Sequence, residues 1–241
     1  MSFTVRAITL DLDDTLWPFA PIGERVERVL HEWLLAHCPR TAERYPIAAM
    51  RLLREQINAA HPHLAHDFSA LRKLTLARAM ELSGDDPAHA EPAFEAFFAE
   101  RNKVECYPDA IAALERIAAR VPVAAVSNGN ADLARIGLHA HFAFQLAASE
   151  HGAGKPDPGI FRAACARLGI EPGSVLHVGD DIDLDIVGAA QAGLRTCWIH
   201  RDDLHGPMPT WPHAHVQPDL AFPTLAALAD WLDVHLDSIA A

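Results

Sequence analysis

Residues 11–16 read DLDDTL, and they follow VRAIT (5–9), an apolar run with the character of a buried β-strand. Carboxylates at the end of an apolar strand cost stability unless something nearby uses their charge. The rest of the sequence supplies that use. Beyond the acidic turn the hydrophobic period changes from 2 to about 3.6. Ile22, Val26, Val29, Leu30, Trp33 and Leu34 share one helical face, with Glu24, Arg25, Arg28 and Glu32 opposite. A second helix is expected after Pro46 (Ile47, Met50, Leu53, Ile57). A third is expected from Asp67 (Phe68, Leu71, Leu74, Leu82), and a fourth over 90–103 (Phe94, Phe97, Phe98). HPHLAHD and SGDDP are the breaks.

From residue 105 the texture alternates. Short apolar strands (VPVAAVS, the weaker FAFQLAAS, SVLHVGDD, RTCWI) are separated by helical stretches, with a last helix over 223–236. This alternation predicts a parallel sheet covered on both faces. The expected fold is therefore α/β: a Rossmann-like, doubly wound parallel sheet with an inserted all-helical domain, a four-helix bundle. The expected boundaries are 1–19 and 105–241 for the α/β core and 20–104 for the insert. Residues 202–217, rich in proline and histidine, read as a long surface loop.

The chain has 241 residues, half of them hydrophobic, and a formal net charge of −12. That charge argues against nucleic acid and anionic membranes as partners, since both need basic patches. No apolar run reaches the ~20 residues of a membrane span. Cys38, Cys106, Cys165 and Cys197 are far apart, which predicts reduced thiols in a cytoplasmic protein rather than zinc or disulfides. His61, His63, His66, His205, His213 and His215 fit no ordinary zinc spacing and are expected in solvated loops.

Ligands of open α/β sheets collect at the carboxyl ends of the strands. Asp11, Asp13 and Asp14 end the first strand, and Ser127 and Asn128 end the next. Lys155 follows the weak strand, and Asp180, Asp181, Asp183 and Asp185 lie at the end of SVLHV. So many carboxylates near one sheet edge, with Lys155 as the obvious cation, predict a divalent metal, and few carboxylates completed by water is the Mg²⁺ pattern.

This set resembles the haloacid dehalogenase superfamily of phosphohydrolases. DLDDTL is similar to its first motif, VSN to its second, KPDP to its third and GDDIDLDIVGA to its fourth, in the family's order. The helical insert between the first two resembles a C1-type cap. The resemblance implies a nucleophile at Asp11 that forms an aspartyl phosphate, and a general acid/base at Asp13. It implies that Asp13 also lends its backbone carbonyl to Mg²⁺, that Thr15 locks the turn, and that Ser127 and the amide of Asn128 bind phosphoryl oxygens. Lys155 would pair with phosphate and Asp11. Asp180 would bind Mg²⁺ beside Asp11, while Asp181 and Asp185 would hold metal waters and Lys155. Trp17 and Phe19 either line a substrate pocket or pack the hinge.

Family dehalogenases lack the acid two residues beyond the nucleophile, so Asp13 favours a phosphatase acting on a small phosphorylated metabolite. A phosphomutase keeps all four motifs and stays open. A non-catalytic binding protein would be expected to lose Asp11, Asp13 or Lys155. DLDDTLW is similar to members that act on flavin mononucleotide or the phosphorylated pyrimidine precursor of riboflavin. Sugar phosphates, phosphoglycolate and nucleoside monophosphates also stay open.

Overall fold

The computed structural model describes residues 3–201, 206 and 210–237. His205 and the rest of 202–205 and 207–209, part of the proline- and histidine-rich loop, lie outside them. The chain separates into two compact units: 1–18, 105–129 and 137–241 form one, while 19–104 and 130–136 form the other.

The first unit is built on a six-stranded sheet, every neighbouring pair parallel. Its strands are β1 (Ala7–Leu10), β2 (Val123–Ser127), β3 (Phe144–Ala147), β4 (Val175–Gly179), β5 (Arg195–Ile199) and β6 (Leu220–Phe222). Their order is β3-β2-β1-β4-β5-β6. All residues of β1, β2 and β4 are buried, as near-continuous apolar runs require in a sheet covered on both faces. Ala7, Val126, Leu146 and Val175 share one core with Ile160, Phe161 and Ala164 of the helix at Pro158–Leu168. That helix starts where the sequence says: Asp157 accepts the Gly159 N–H at 2.7 Å, with proline at the first helical position. The architecture is the expected Rossmann-like α/β fold. The strand order reverses direction between β1 and β4, and a crevice at such a switch point is where open sheets bind ligands.

Two local features depart from the sequence reading. Residues 220–222 form β6, a strand too short to carry its own periodicity, held by parallel pairing with Cys197–Ile199. The stretch read as one helix after Asp181 opens with a π-helical turn, Ile182–Val187, before the short helix Gly188–Ala192.

The second unit is helical. Its helices are α1 (Phe19–His37), α2 (Pro39–Arg44), α3 (Ile47–Ala60), α4 (Phe68–Ser83) and α5 (Ala90–Arg101). The four long ones match the four expected. The short α2, started by Pro39, falls between the first two expected helices, in a stretch to which the sequence reading assigns no element. α1 packs on α5, and α4 packs on both α3 and α5. Ile22, Val26, Leu30 and Leu34 bury one face of α1 at spacings of four, the pattern of an amphipathic helix. α4 turns differently from expectation. Phe68 and Leu74 are exposed, and the buried face runs through Leu71, Thr75, Leu76, Ala79 and Met80. Glu27, also buried, accepts from Arg54 Nη1 at 2.5 Å and Arg72 Nη2 at 3.0 Å, so its charge is paired.

Candidate active site

Asp11 lies immediately beyond β1, its N–H donating to the Val178 carbonyl at 2.9 Å. That bond carries the pairing of β1 and β4 one residue past the strand and fixes where the Asp11 side chain begins. The chain then turns back sharply. Asp14 adopts φ of 60°, a left-handed conformation that Asp tolerates better than most residues, and its N–H donates to the Trp17 carbonyl at 2.7 Å. Thr15 is fully buried and its hydroxyl donates to Asp180 Oδ1 at 3.0 Å. Thr15 thus ties the first acidic turn to the one after β4. Trp17 is fully buried too, and its indole N–H donates to Asp13 Oδ1 at 2.8 Å. No face of that ring is open for a substrate to stack on, so the pocket-lining expectation for Trp17 is corrected. Phe19 belongs to the helical unit and keeps 40% exposure, with the Arg101 guanidinium over its ring.

Lys155 is buried, and its ammonium donates to Asp11 Oδ1 and, at 2.7 Å, to Asp185 Oδ1. Asn128 positions it: the Asn128 side chain accepts the Lys155 N–H at 2.7 Å and donates to the Lys155 carbonyl at 2.8 Å. Ser127, at the end of β2, is buried and its hydroxyl accepts the Gly129 N–H at 3.0 Å.

Asp185 is the most heavily engaged of the site's described carboxylates. Its Oδ1 meets Lys155 and, at 3.0 Å, His177 Nε2, while its Oδ2 accepts the Asp181 N–H at 3.1 Å. It approaches β4 so closely that a Cβ on Gly179 would lie 2.3 Å from its carboxyl carbon. Only glycine fits there. Asp181 differs: it is exposed, and its carboxylate accepts the N–H groups of Asp183 and Leu184, both at 2.8 Å, which caps the π-helical turn. Asp180 is held by Thr15, and its backbone carbonyl accepts the Trp198 indole N–H at 2.7 Å. Oxygens of Asp11, Asp180 and Asp185 come within 4.8 Å of one another.

The sequence reading passed over Thr9 and His177. They are register partners on β1 and β4, both fully buried, with Thr9 Oγ1 2.9 Å from His177 Nδ1. Burial lowers the imidazole pKa, so the ring is neutral. Anionic Asp185 only accepts, which places the ring proton on Nε2 and makes Nδ1 the acceptor of the Thr9 hydroxyl. A polar residue inside an otherwise apolar strand was the available signal: a buried imidazole needs partners.

Electrostatics follow from burial and crowding. Burial raises Asp11 to about 7; the Lys155 charge opposes this and the Asp185 charge adds to it. Asp180 is pushed up to about 8 by burial and then by Asp11, Asp185 and Asp14. Burial would raise Asp185 as well, but Lys155 and His177 outweigh it and hold its carboxyl well below the usual range. For Lys155, burial is overcome by the two facing carboxylates, which keep the ammonium charged.

Comparison with known proteins bears directly on this constellation. Residues 5–193 match a family model described as haloacid dehalogenase-like hydrolase. The chain belongs to the haloacid dehalogenase-like hydrolases. It is 31% identical over 228 residues to 5-amino-6-(5-phospho-D-ribitylamino)uracil phosphatase YigB of Escherichia coli, covering 93% of this chain and 94% of the relative. It is 33% identical to a phosphoserine phosphatase of Thermus thermophilus, covering 90% and 94%. Among solved structures, one described as a 2-haloacid dehalogenase from Pseudomonas syringae pv. Tomato superposes with a TM-score of 0.87 at 34% identity, covering 96% of this chain and 99% of that one. As a haloacid dehalogenase-like hydrolase the chain is an enzyme, and the two curated relatives just named are phosphatases.

Proposed function

We propose that this phosphoric monoester hydrolase removes phosphate from a small phosphorylated metabolite through an aspartyl phosphate on Asp11, with Asp13 as general acid and base and Mg²⁺ as cofactor. One observation carries the reading: Asp11 is buried against Lys155, and a second acid, Asp13, stands two residues on with its carboxylate held by Trp17. Dehalogenation, suggested by the description of the structural relative, needs no acid at position 13, whereas an alcohol leaving group needs a proton.

The chemistry balances on these residues. A carboxylate oxygen of Asp11 attacks phosphorus, the bond from phosphorus to the leaving oxygen breaks, and Asp13 gives that oxygen its proton. Asp13, now a carboxylate, takes a proton from water as the water attacks the phosphoenzyme. The bond to Asp11 breaks and orthophosphate leaves. Lys155 offsets negative charge beside the nucleophile throughout, and Ser127 and the Asn128 amide are assigned to phosphoryl oxygens.

The donor set fits a divalent cation. Asp11 and Asp180, raised to about 7 and about 8, hold protons near neutrality, when a nucleophile must be bare. Bound by the side chains of Asp11 and Asp180 and the carbonyl of Asp13, Mg²⁺ would keep both carboxylates ionised and neutralise phosphate charge. Asp185 joins the cluster in space, but its oxygens already serve Lys155, His177 and the Asp181 amide, so it orients rather than ligates. Asp181 caps its own turn, which leaves Asp185 as the acid assigned to Lys155.

The substrate class is tested by phosphate release from a panel of sugar phosphates, nucleoside monophosphates, flavin mononucleotide and phosphorylated amino acids, with Mg²⁺ and with chelator. Mg²⁺-dependent release from at least one of them is expected. Undiminished release in chelator would reject the cofactor, and no release from any member would reject the substrate class.

A further inference from the structure

The four-residue return from Asp13 to Trp17 is built with unusual care. Asp13 and Trp17 pair as an isolated β-bridge, the Asp14 N–H closes on the Trp17 carbonyl, and the Leu16 N–H donates to Leu12 at 2.9 Å. The Leu16 carbonyl accepts the Tyr107 N–H at 2.9 Å. The backbone on both sides of the indole is therefore pinned, and the ring itself is fully buried. A tryptophan N–H so placed has one job that packing alone would not require: it meets Asp13 Oδ1 at 2.8 Å.

Resting on the acid/base role just assigned to Asp13, we propose that Trp17 is a positioning residue for catalysis, whose N–H decides which oxygen of Asp13 carries the proton. The argument is one of donor inventory. An indole N–H only donates, so the oxygen it faces must accept. The carbonyl oxygen of a protonated carboxyl is a far better acceptor than its hydroxyl oxygen, so the N–H favours a bare Oδ1 whether Asp13 is acid or base, and the proton given to the leaving alcohol, then taken from water, rides on Oδ2. The buried ring also fixes the carboxylate plane, so Oδ2 returns to one place in both half-reactions. General acid–base catalysis depends on that geometry, because the proton must lie within hydrogen-bond reach of the atom that receives it. Without the N–H, Asp13 keeps its chemistry but loses the donor that tells its two oxygens apart.

The test removes the N–H while keeping the ring. In the full-length enzyme with Mg²⁺, the indole of Trp17 is replaced by the near-isosteric benzothiophene, carried on an unnatural amino acid, and Trp17→Phe is made as a coarser second variant. kcat/KM is measured for phosphate monoesters ranging from an alkyl alcohol to nitrophenol. An alkoxide needs protonation and a nitrophenolate hardly does. The benzothiophene variant should lose roughly tenfold or more on the alkyl ester and under about threefold on the nitrophenyl ester, so that rate depends more steeply on the leaving group. In an Asp13→Asn background the same replacement should cost nothing further on the alkyl ester. Equal losses across the series, no loss at all, or an undiminished loss in the Asp13→Asn background would each overturn the assignment. If the parent enzyme released phosphate from no ester, the phosphatase reading would fail and this assignment with it. An active parent with an indifferent variant refutes the role of Trp17 alone.

Discussion

Asp11 is pulled two ways. The ammonium of Lys155 favours its ionised form, while burial and the neighbouring Asp185 favour the neutral one, and the second pair prevails, leaving its pKa at about 7. Its ordinary value is 3.8, so the raised group contributes stability below about pH 4 that is lost as pH rises through 7. Asp11→Asn is nearly isosteric and never charges. In chelator, its melting temperature should come closest to that of the parent near about pH 4 and exceed it by a margin that grows to several degrees near about pH 8, where the parent carries the strained charge. Thermal melts at the two pH values check this, and a variant no more stable than the parent at the higher pH would contradict it. Turnover by the same variant should fall below about 1% of the parent, since an amide is no nucleophile toward phosphorus.

At the scale of elements, β4 and the π-helical turn after it hold the site together through one close approach. With hydrogen at Gly179 the carboxylate of Asp185 reaches Lys155, His177 and the Asp181 amide together; with a methyl it cannot, because the two groups would be 2.3 Å apart. Gly179→Ala should cost about 1–3 kcal/mol in urea unfolding through overpacking and lower kcat by displacing Asp185 from Lys155. Gly173 is the control: a Cβ there meets nothing within 4 Å, so Gly173→Ala should be near neutral. Thr9 and His177 act across the same pair of strands. Thr9→Val leaves the His177 Nδ1 acceptor buried without its hydroxyl, which should cost about 1–3 kcal/mol, read by the same denaturation.

For the whole molecule, the acids at the sheet edge link folding to protons and, in the proposed function, to a divalent cation. Asp180, raised to about 8, loses its stabilising proton in the same direction as Asp11. His177 works the other way: its lowered value means that stability from the neutral ring is gained as pH rises toward 6.5 and is complete above it. Of these three groups, Asp11 and Asp180 alone still change above about pH 6.5, so they should lower the stability of the metal-free protein up to about pH 8.5. A divalent cation that needs both carboxylates ionised should bind with proton release. Mg²⁺ should therefore raise the melting temperature more near about pH 8 than near about pH 6. Calorimetric titration in buffers of different ionisation enthalpy reads the proton release directly. An increment that is flat or falls with pH would argue against Asp11 and Asp180 as ligands. Ca²⁺, which prefers longer bonds and more oxygens, should bind but fail to support turnover.

What the sequence determined by itself was the order of the chemistry. Asp11, Asp13, Ser127, Lys155 and Asp180 each end or follow a recognisable apolar strand, and a parallel sheet brings such ends to one edge whatever the loops do. The long helices and most strands were legible because their periodicity runs over enough residues to stand out. β6 and α2 were not, because three residues and six residues carry too little pattern and exist through pairing and packing with distant segments. The tertiary structure decided which of several nearby acids does what. Asp181 and Asp185 look alike in GDDIDLD, yet one caps a turn in solvent and the other is buried between Lys155 and His177. It also decided that Thr9 answers His177 across neighbouring strands and that Trp17 spends its N–H on Asp13. Those outcomes depend on register and on the direction of a side chain after a left-handed turn, and both are set only when the strands have paired and every buried donor has found its acceptor.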